Sequence, residues 1–363
     1  MRSPYISEVI SLTHDLIAIP SVKESPKALG DVLSVAQKTL KGFHVETFSD
    51  QGVPSLLAYV GKTRPKKFAV ILNAHLDVVP GKKDQYAPKI VGDKLIGRGA
   101  YDMKAAAAVE ILLFKELAEK LNYPLGLQLV TDEEVGGHHG TLFQVNKGVD
   151  AQSVLVGETS SNLTIGIRSK GIVWAQITFH GKVAHGAYPW NGENALWKAH
   201  QFLQKIQTKF AVPKTEVWKT TMNLARIETP NNTFNKVPDE ATVMLDIRYV
   251  PEDKERVKKD LESSIENGDT ISYNTIEPSH ETPSDNSFVT LLADAVTQIT
   301  GQKAQIVGKH GGSDLRHFTD AAGLEFGPVG SGPHTDDEWV SISGLQTYAD
   351  IVKTFLLSKK ITL

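Results

Sequence analysis

The sequence predicts an α/β protein, with a mixed sheet flanked by helices, into which a second α+β domain is inserted. Four short apolar runs suited to buried strands each lead to a cluster of His, Asp or Glu, and a helix-forming segment joins the first two. From about Ile172 the sequence changes to alternating strand-like stretches with two helical segments, and the first pattern returns after Glu281. We therefore assign residues 1–168 and 281–363 to one domain and residues 169–280 to the inserted one.

The composition excludes several classes of function. The chain has 363 residues, 40% of them hydrophobic and 22% charged, which is enough for more than one domain. The formal net charge is −3 without a long Lys or Arg run, so neither nucleic acid nor an anionic membrane is an expected partner. The chain has no cysteine, so a thiolate metal site, a disulfide framework and a cysteine nucleophile are excluded. Any metal must be bound by His, Asp and Glu.

The N-terminal segment is predicted to be an amphipathic helix. Glu8, His14 and Asp15 interrupt its apolar pattern, which argues against a secretory signal. No stretch approaches the ~18 uninterrupted apolar residues of a membrane span. We expect a cytoplasmic protein, and a cysteine-free chain would also suit the periplasm.

The four apolar runs bring charged side chains to one edge of the predicted sheet. A helix is predicted from Met103 to Leu121, with its start marked by Asp102. It connects the first two apolar runs, which gives a strand, helix, strand unit. In an open α/β sheet, ligands bind beyond the carboxyl ends of the strands, so the clusters are expected to meet there. The residues that follow the four runs are His75 and Asp77, then Asp132, Glu133 and Glu134, then Glu158, and last His334.

Two imidazoles and three carboxylates without thiols suit a pair of divalent ions, with one carboxylate bridging them. These residues extend from position 75 to position 334, so no local spacing proves that they meet. Their common place at strand ends supports the assignment. The five candidate ligands are His75, Asp102, Glu134, Glu158 and His334.

Several motifs together resemble the dinuclear zinc hydrolases that include succinyl-diaminopimelate desuccinylase, acetylornithine deacetylase, aminoacylase-1 and glutamate carboxypeptidase. The resemblance covers nearly the whole chain. It implies a zinc-hydrolase-like sheet with an inserted ferredoxin-like lid or dimerisation domain. The motifs are His75-Leu76-Asp77, Gly97 to Lys104, Asp132 to Gly137, Gly157-Glu158, Ala184-His185 with Pro189, and His334.

The resemblance also implies roles for the clustered residues. Glu133 is the general base that accepts a proton from the attacking water. Asp77 is a partner that orients a metal-bound imidazole. His138 and His139, beside the Glu134 motif, are not assigned as ligands. The resemblance further implies two Zn²⁺ per subunit, which Co²⁺ or Mn²⁺ can replace. Asp102 is implied to bridge the two ions. His75 and Glu158 complete one site, and Glu134 and His334 complete the other.

In dimeric members of the resembled family, the residue at the position of His185 reaches the partner's active site and polarises the scissile carbonyl. We therefore expect a homodimer formed through the inserted domain. The alternative is that His185 is a structural residue in the turn before Pro189.

Further residues match positions that contact substrate in the resembled family. Arg248 is the best carboxylate anchor, because a planar guanidinium can donate two parallel hydrogen bonds; the alternative is a solvated residue at a strand edge. In the loop Gly311 to Arg316, Ser313 could hold a carboxylate or the acyl oxygen, and Arg316 could add positive charge. The six candidates are Asn223, Asn235, Arg248, Gly312, Ser313 and Arg316.

The expected function is hydrolysis of the amide bond of an N-acyl amino acid, of the deacetylase or desuccinylase type. Glu rather than Asp at position 158 favours these branches modestly. A dipeptidase or carboxypeptidase would use the same metals and base, and would differ in pocket shape. A non-catalytic protein that binds an amino-acid derivative is a third possibility, against which the presence of Glu133 and of all five ligands argues.

Overall fold

The computed structural model describes residues 4–363, so residues 1–3 of the predicted N-terminal helix lie outside the described residues. The chain divides into two compact units. The first unit contains the chain up to Ile167, Thr282–Val307 and Ser313–Leu363, and the second contains Arg168–Glu281 and Gly308–Gly312.

The sequence analysis had placed the short segment Gly308–Gly312 in the first domain, whereas it clusters with the second unit. The physical reason is close packing, because a Cβ atom at Gly308 would lie 2.5 Å from the ring of Trp218. Only a glycine lets the backbone approach the indole this closely.

Helices and strands alternate along the chain as follows. The helices are α1 (Pro4–Ile17), α2 (Pro26–Thr39), α3 (Ala105–Leu117), α4 (Thr141–Asn146), α5 (Ala195–Gln207), α6 (Lys254–Glu262), α7 (Ser287–Thr300) and α8 (Ile342–Leu356). The strands are β1 (His44–Asp50), β2 (Val53–Tyr59), β3 (Phe68–His75), β4 (Lys89–Val91), β5 (Lys94–Ile96), β6 (Leu125–Val130), β7 (Ala151–Val156), β8 (Ile165–Ser169), β9 (Gly171–His180), β10 (Thr221–Glu228), β11 (Glu240–Tyr249), β12 (Thr270–Glu277), β13 (His280–Glu281), β14 (Ile306–Lys309), β15 (Ala322–Glu325), β16 (Gly330–Ser331) and β17 (Trp339–Ser341).

The first unit is built on a mixed sheet with strand order β1-β2-β6-β3-β7-β15-β8. The central strands β6, β3, β7 and β15 are parallel, and β2 and β8 join them antiparallel. Every residue of β3 and β6 is buried, as expected of strands that helices cover on both faces. The predicted mixed sheet flanked by helices is therefore confirmed.

The parallel strands bring their carboxyl ends to one edge. Strand β3 ends at His75. Strands β6 and β7 each end two positions before the first residue of a predicted acidic cluster, Asp132 and Glu158 respectively. The helix after the first strand begins later than predicted: α3 starts at Ala105, and Asp102 lies in a short turn with φ −120° and ψ 94°. This turn carries the Asp102 carboxylate to the sheet edge.

The second unit has the element order β9-α5-β10-β11-α6-β12 and an antiparallel sheet of order β10-β11-β9-β12. This is the ferredoxin-like arrangement. Alternate residues of β9 and β11, such as Ile177 and Val243, form a core with α5 and α6. The opposite face of the sheet, which carries Trp174 and Asp246, is not covered by these helices.

A small third sheet, of order β16-β17-β5-β4, belongs to the first unit. Its strand β17 leads into α8 through Ser341, whose hydroxyl caps the helix by accepting the N–H of Gly344. Among residues 4–363, no helix is both long and apolar enough to cross a membrane.

Candidate metal centre

The first group of candidate ligands is centred on His75, which is 1% exposed. Its Nε2 atom lies 3.1 Å from Asp102 Oδ1 and 3.6 Å from Glu158 Oε1. These three residues come from the end of β3, the turn before α3 and the end of β7. The parallel strands therefore assemble them at one point.

The second group shares Asp102 with the first. His334 Nε2 lies 3.3 Å from Asp102 Oδ2 and 3.0 Å from Glu134 Oε2. Each oxygen of the Asp102 carboxylate thus faces a different imidazole. This is the arrangement expected of a carboxylate that bridges two ions.

The two groups fit divalent cations by distance and by chemistry. Ligand atoms bound at about 2.0–2.2 Å from one tetrahedral ion lie roughly 3.3 Å apart, close to the separations found here. The donors are imidazole nitrogens and carboxylate oxygens, which suit zinc, cobalt or manganese. The carboxylates of the two groups are those of Asp102, Glu134 and Glu158. Among the described residues, none of them pairs with a Lys or Arg, so bound cations would balance their negative charge.

The pKa shifts in the site arise from burial and from the closeness of its charged groups. Burial, and then the negative charge of Asp102, raise the pKa of Glu158 to about 8. Hydrogen bonds with Asp102 and Glu134 raise the pKa of His334 to about 10. The neighbouring carboxylates of the site repel one another. Binding of protons or of metal ions neutralises their negative charge.

Asp77 links the first imidazole to the loop after β6. The Nδ1 atom of His75 lies 3.1 Å from the backbone oxygen of Asp77 and 3.5 Å from its carboxylate. The same carboxylate accepts the backbone N–H groups of Glu133 at 3.3 Å and Glu134 at 3.0 Å. It therefore orients both a candidate ligand and the segment that carries the candidate base.

Glu133 belongs to neither group of candidate ligands among the described residues. Burial, and then the charge of Glu158, raise its pKa well above the usual value. Its Oε1 atom lies 3.9 Å from Arg316 Nη2. A carboxylate that is 12% exposed and borders the candidate metal groups without belonging to them is well placed to exchange a proton with water.

Glu338 is a residue of the site to which the sequence analysis gave no role. Its Oε1 atom accepts the N–H groups of Tyr101 and Asp102, and its Oε2 atom accepts the N–H of Gly99 and pairs with Arg98 at 2.9 Å. It thereby fixes the turn that carries Asp102. Glu338 follows His334 by four residues, so the sequence places it in the same acidic cluster. Only the fold shows which backbone groups it contacts.

The loop Gly311 to Arg316 is divided between the units, with Gly312 in the second and Ser313 in the first. Ser313 is buried, and its hydroxyl donates to Glu325 Oε1 at 2.6 Å. Arg316, from the same loop, lies near the candidate base, with Nη2 3.9 Å from Glu133 Oε1.

The other predicted contacts lie in the second unit. His185 Nδ1 accepts the N–H of Ala187 at 3.0 Å, which leaves the proton of the neutral ring on Nε2. Asn235 accepts the N–H of Gly186 through its backbone oxygen, at 2.6 Å. Asn223 lines the uncovered face of the sheet.

Arg248 is already engaged within its own strand. Its Nε and Nη2 atoms donate to the two carboxylate oxygens of Asp246 at 2.8 and 3.2 Å. The guanidinium is thus held in one orientation. In the first unit, His139 Nδ1 lies 2.7 Å from Asp50 Oδ2, and the ring of His138 packs near that of His317. Neither His138 nor His139 belongs to the two ligand groups.

The chain is similar to known proteins over most of its length. A profile of peptidase family M20/M25/M40 matches residues 71–358. The succinyl-diaminopimelate desuccinylase of Pelagibacter ubique is 28% identical, over 95% of this chain and 98% of its own.

Two solved structures have the same fold. The aminopeptidase PepT of Bacillus cereus aligns with a TM-score of 0.78 and 18% identity, over 97% of this chain and 98% of its own. An M20 family metallo-carboxypeptidase of Sulfolobus solfataricus aligns with a TM-score of 0.75 and 17% identity, over 96% of this chain and 98% of its own.

Proposed function

The chain belongs to peptidase family M20/M25/M40, and from this premise we propose that it hydrolyses the amide bond of an N-acyl amino acid with Glu133 as general base. Membership makes it a hydrolytic enzyme that acts on amide bonds and depends on metal. A protein that merely binds an amino-acid derivative is therefore not retained. The substrate, the number of ions and the residue roles are proposals.

The observation that carries the proposal is the Asp102 carboxylate, which faces His75 with one oxygen and His334 with the other. We assign Asp102 as a bridging ligand, with His75 and Glu158 at one ion and Glu134 and His334 at the other. Two Zn²⁺ fit these donors, and Co²⁺ or Mn²⁺ can replace them. Bound ions of this kind supply Lewis acidity, which lowers the pKa of water and polarises a carbonyl.

Glu133 performs the proton transfers. It accepts a proton from the attacking water as the new C–O bond forms, and it donates that proton to the leaving nitrogen as the C–N bond breaks. Asp77 contributes by holding the Glu133 backbone and the His75 ring at once. Arg316 is close enough to Glu133 to favour its ionised form.

His185 is proposed to donate a hydrogen bond from Nε2 to the scissile carbonyl in the site of a partner subunit. Support comes from its Nδ1 atom, which accepts the N–H of Ala187 and so keeps the Nε2 proton available. This role requires a homodimer through the second unit. The further proposed substrate contacts are Asn223, Asn235, Arg248, Gly312 and Ser313. The Ser313 hydroxyl also donates to Glu325.

The similarity to a desuccinylase over nearly the full length of both chains favours a deacylase. A second candidate is a dipeptidase, aminopeptidase or carboxypeptidase activity, which the shared fold of PepT and of the metallo-carboxypeptidase supports. Both reactions would use the same candidate metal groups and the same base, so pocket contacts decide between them.

The test is a substrate panel with the zinc- or cobalt-loaded protein. The panel contains N-acetyl and N-succinyl amino acids together with dipeptides, and free amine release is measured. We expect hydrolysis of N-acyl amino acids, and loss of it after removal of metal by a chelator. Activity on dipeptides alone would refute the deacylase assignment in favour of the peptidase, and inactivity on every compound would refute both.

A further inference from the structure

His334 is the most exposed of the five candidate ligands. Its side chain is 52% exposed, whereas that of His75 in the first group is 1% exposed. The loop around it, from Pro333 to Asp337, is exposed at every residue. Burial at a strand end can hold His75 in place, but the position of His334 must depend on specific contacts of its loop.

The backbone of His334 adopts a conformation that needs support. Its φ angle is 63°, in the left-handed region that side chains other than glycine rarely enter. Part of the support comes from within the loop, since the N–H and the hydroxyl of Thr335 both donate to the backbone oxygen of Gly332. A residue held in this region also needs contacts from the surrounding structure that fix its conformation.

Gln85 makes such contacts with the loop. It lies in the short turn after β3 and is buried. Its Nε2 atom donates to the backbone oxygens of Thr335 at 3.1 Å and Asp336 at 3.3 Å, the two residues that follow His334. Its Oε1 atom accepts the N–H of Lys82 at 2.8 Å. The side-chain amide of Gln85 therefore joins its own turn to the loop.

The backbone of Gln85 contacts the support of the other imidazole partner, Asp102. The Gln85 carbonyl oxygen accepts the N–H of Arg98 at 2.9 Å, and Arg98 pairs with Glu338. Glu338 accepts the N–H of Asp102. Gln85 therefore links the groups that hold Asp102 to the loop that holds His334, and these two side chains face each other in the second group.

A second contact between the turn and the loop is weaker. Lys82 forms an ion pair with Asp336 at 2.5 Å, but their side chains are 68% and 60% exposed. Water and salt screen such a pair, and exposed pairs contribute little to stability. The amide of Gln85 is buried, so its donors would be left without water if they lost the loop carbonyls. Gln85 is therefore the main anchor of the loop.

We propose that Gln85 is a positioning residue for the second group, because it holds the loop so that His334 can bind an ion together with Glu134. Gln85 acts through the loop and is not itself a ligand. The inference rests on the proposed function in one respect, the assignment of His334 as a metal ligand, and it is independent of the substrate. The ion of the first group, at His75, should not depend on Gln85.

The test is zinc binding by the metal-loaded protein, measured by competition with a chromophoric chelator. Gln85→Leu removes both donors at nearly the same side-chain size. It should weaken the binding of one of the two zinc ions about 10-fold or more and leave the other within about 3-fold of the wild type. Gln85→Glu keeps the acceptor for the N–H of Lys82 but cannot donate, so it should have the same effect. It replaces Gln85→Leu if that variant does not fold.

A double-mutant cycle with His334→Ala identifies the ion that depends on Gln85. His334→Ala should lose the zinc of the second group and retain the other. Gln85→Leu should then have no further effect on the retained zinc, because the ligand through which Gln85 acts is absent. Weakening of the retained zinc by Gln85→Leu would indicate a general structural role and would overturn the inference.

Two further variants are controls. Lys82→Met breaks the exposed ion pair with the same loop and should leave both zinc affinities within about 3-fold of the wild type. Gln144→Leu removes another buried amide, which donates to Ser55 Oγ at 2.9 Å. It should lower stability to urea without changing either zinc affinity. Unchanged affinity for both ions in folded Gln85→Leu or Gln85→Glu would overturn the inference, as would equal weakening of both ions.

Failure of the proposed function is a separate outcome. If the wild type bound two ions but hydrolysed no compound of the substrate panel, the proposed function would fail, and the zinc measurements would still decide the role of Gln85. If the wild type hydrolysed N-acyl amino acids and Gln85→Leu bound both ions as tightly, only the inference would fail. Binding of a single ion by the wild type would overturn the inference, because it requires an ion at His334.

Discussion

Glu338 Oε1 accepts the backbone N–H of Asp102 at 3.0 Å, at a position where Glu338 is 1% exposed. The same carboxylate pairs with Arg98, so an interior ion pair holds the turn that presents the proposed bridging ligand. Residues far apart in sequence thereby set the position of Asp102. The geometry of the centre depends on groups that need not touch an ion.

Glu338→Gln should destabilise the protein by about 3–5 kcal/mol, because it leaves Arg98 as an uncompensated buried charge. Urea denaturation measures the loss. Glu116→Gln, which breaks the more exposed pair of Glu116 with Lys353, is the control and should cost no more than about 1 kcal/mol. Equal losses in the two variants would contradict the special role of the buried pair.

Asp77→Asn should lower zinc affinity about 10- to 100-fold, as expected when a group that orients a ligand is changed. An asparagine retains the size but cannot accept at both oxygens from Glu133 and Glu134 while facing His75. Competition with a chromophoric chelator measures the affinity, and Asp84→Asn at an exposed position serves as the control. Wild-type affinity in Asp77→Asn would show that Asp77 does not support the metal site.

Glu110 gives a prediction for the pH dependence of stability. Burial raises its pKa well above the usual value of 4.5, an effect that the nearby charge of Glu158 increases and the hydrogen bond from Tyr348 reduces. The folded state therefore retains a proton that the unfolded state releases above about pH 4.5. Since the unfolded state then binds fewer protons, this carboxyl reduces stability as pH rises from there toward the folded pKa.

Glu110→Gln should remove this trend. The variant should gain stability relative to the wild type as pH rises above 4.5, by at most about 1.4 kcal/mol per pH unit. Denaturant titrations at several pH values measure the difference, and Glu116→Gln in the same helix should show no comparable gain. A difference that stays constant between pH 5 and pH 8 would contradict the raised pKa.

Much of the fold was predictable because buried parallel strands have continuous apolar runs, as in β3 and β6. The sequence also placed His75 and Glu158 at strand ends. It did not reveal Glu338, because its contact with Asp102 depends on how two distant loops meet.

The start of α3 was misplaced by the capping pattern. Asp102 is a common helix-starting residue type, but here its backbone N–H is bound by Glu338 and its side chain faces two imidazoles. The tertiary contacts override the local preference. The sequence analysis assigned Gly308–Gly312 to the first domain, whereas this segment clusters with the second unit. The cause is again a tertiary contact, because the packing of Gly308 on Trp218 cannot be read from neighbouring residues.

The most direct test of the central claim compares wild type and Glu133→Gln for metal content and for hydrolysis of the best substrate of the panel. We expect both proteins to bind two ions per subunit, while kcat falls at least about 10²-fold in the variant, as for loss of a general base. Glu134→Gln, which alters a proposed ligand, should lose metal instead. Wild-type turnover by metal-loaded Glu133→Gln, or loss of its metal, would contradict the assignment of Glu133 as a base that is not a ligand.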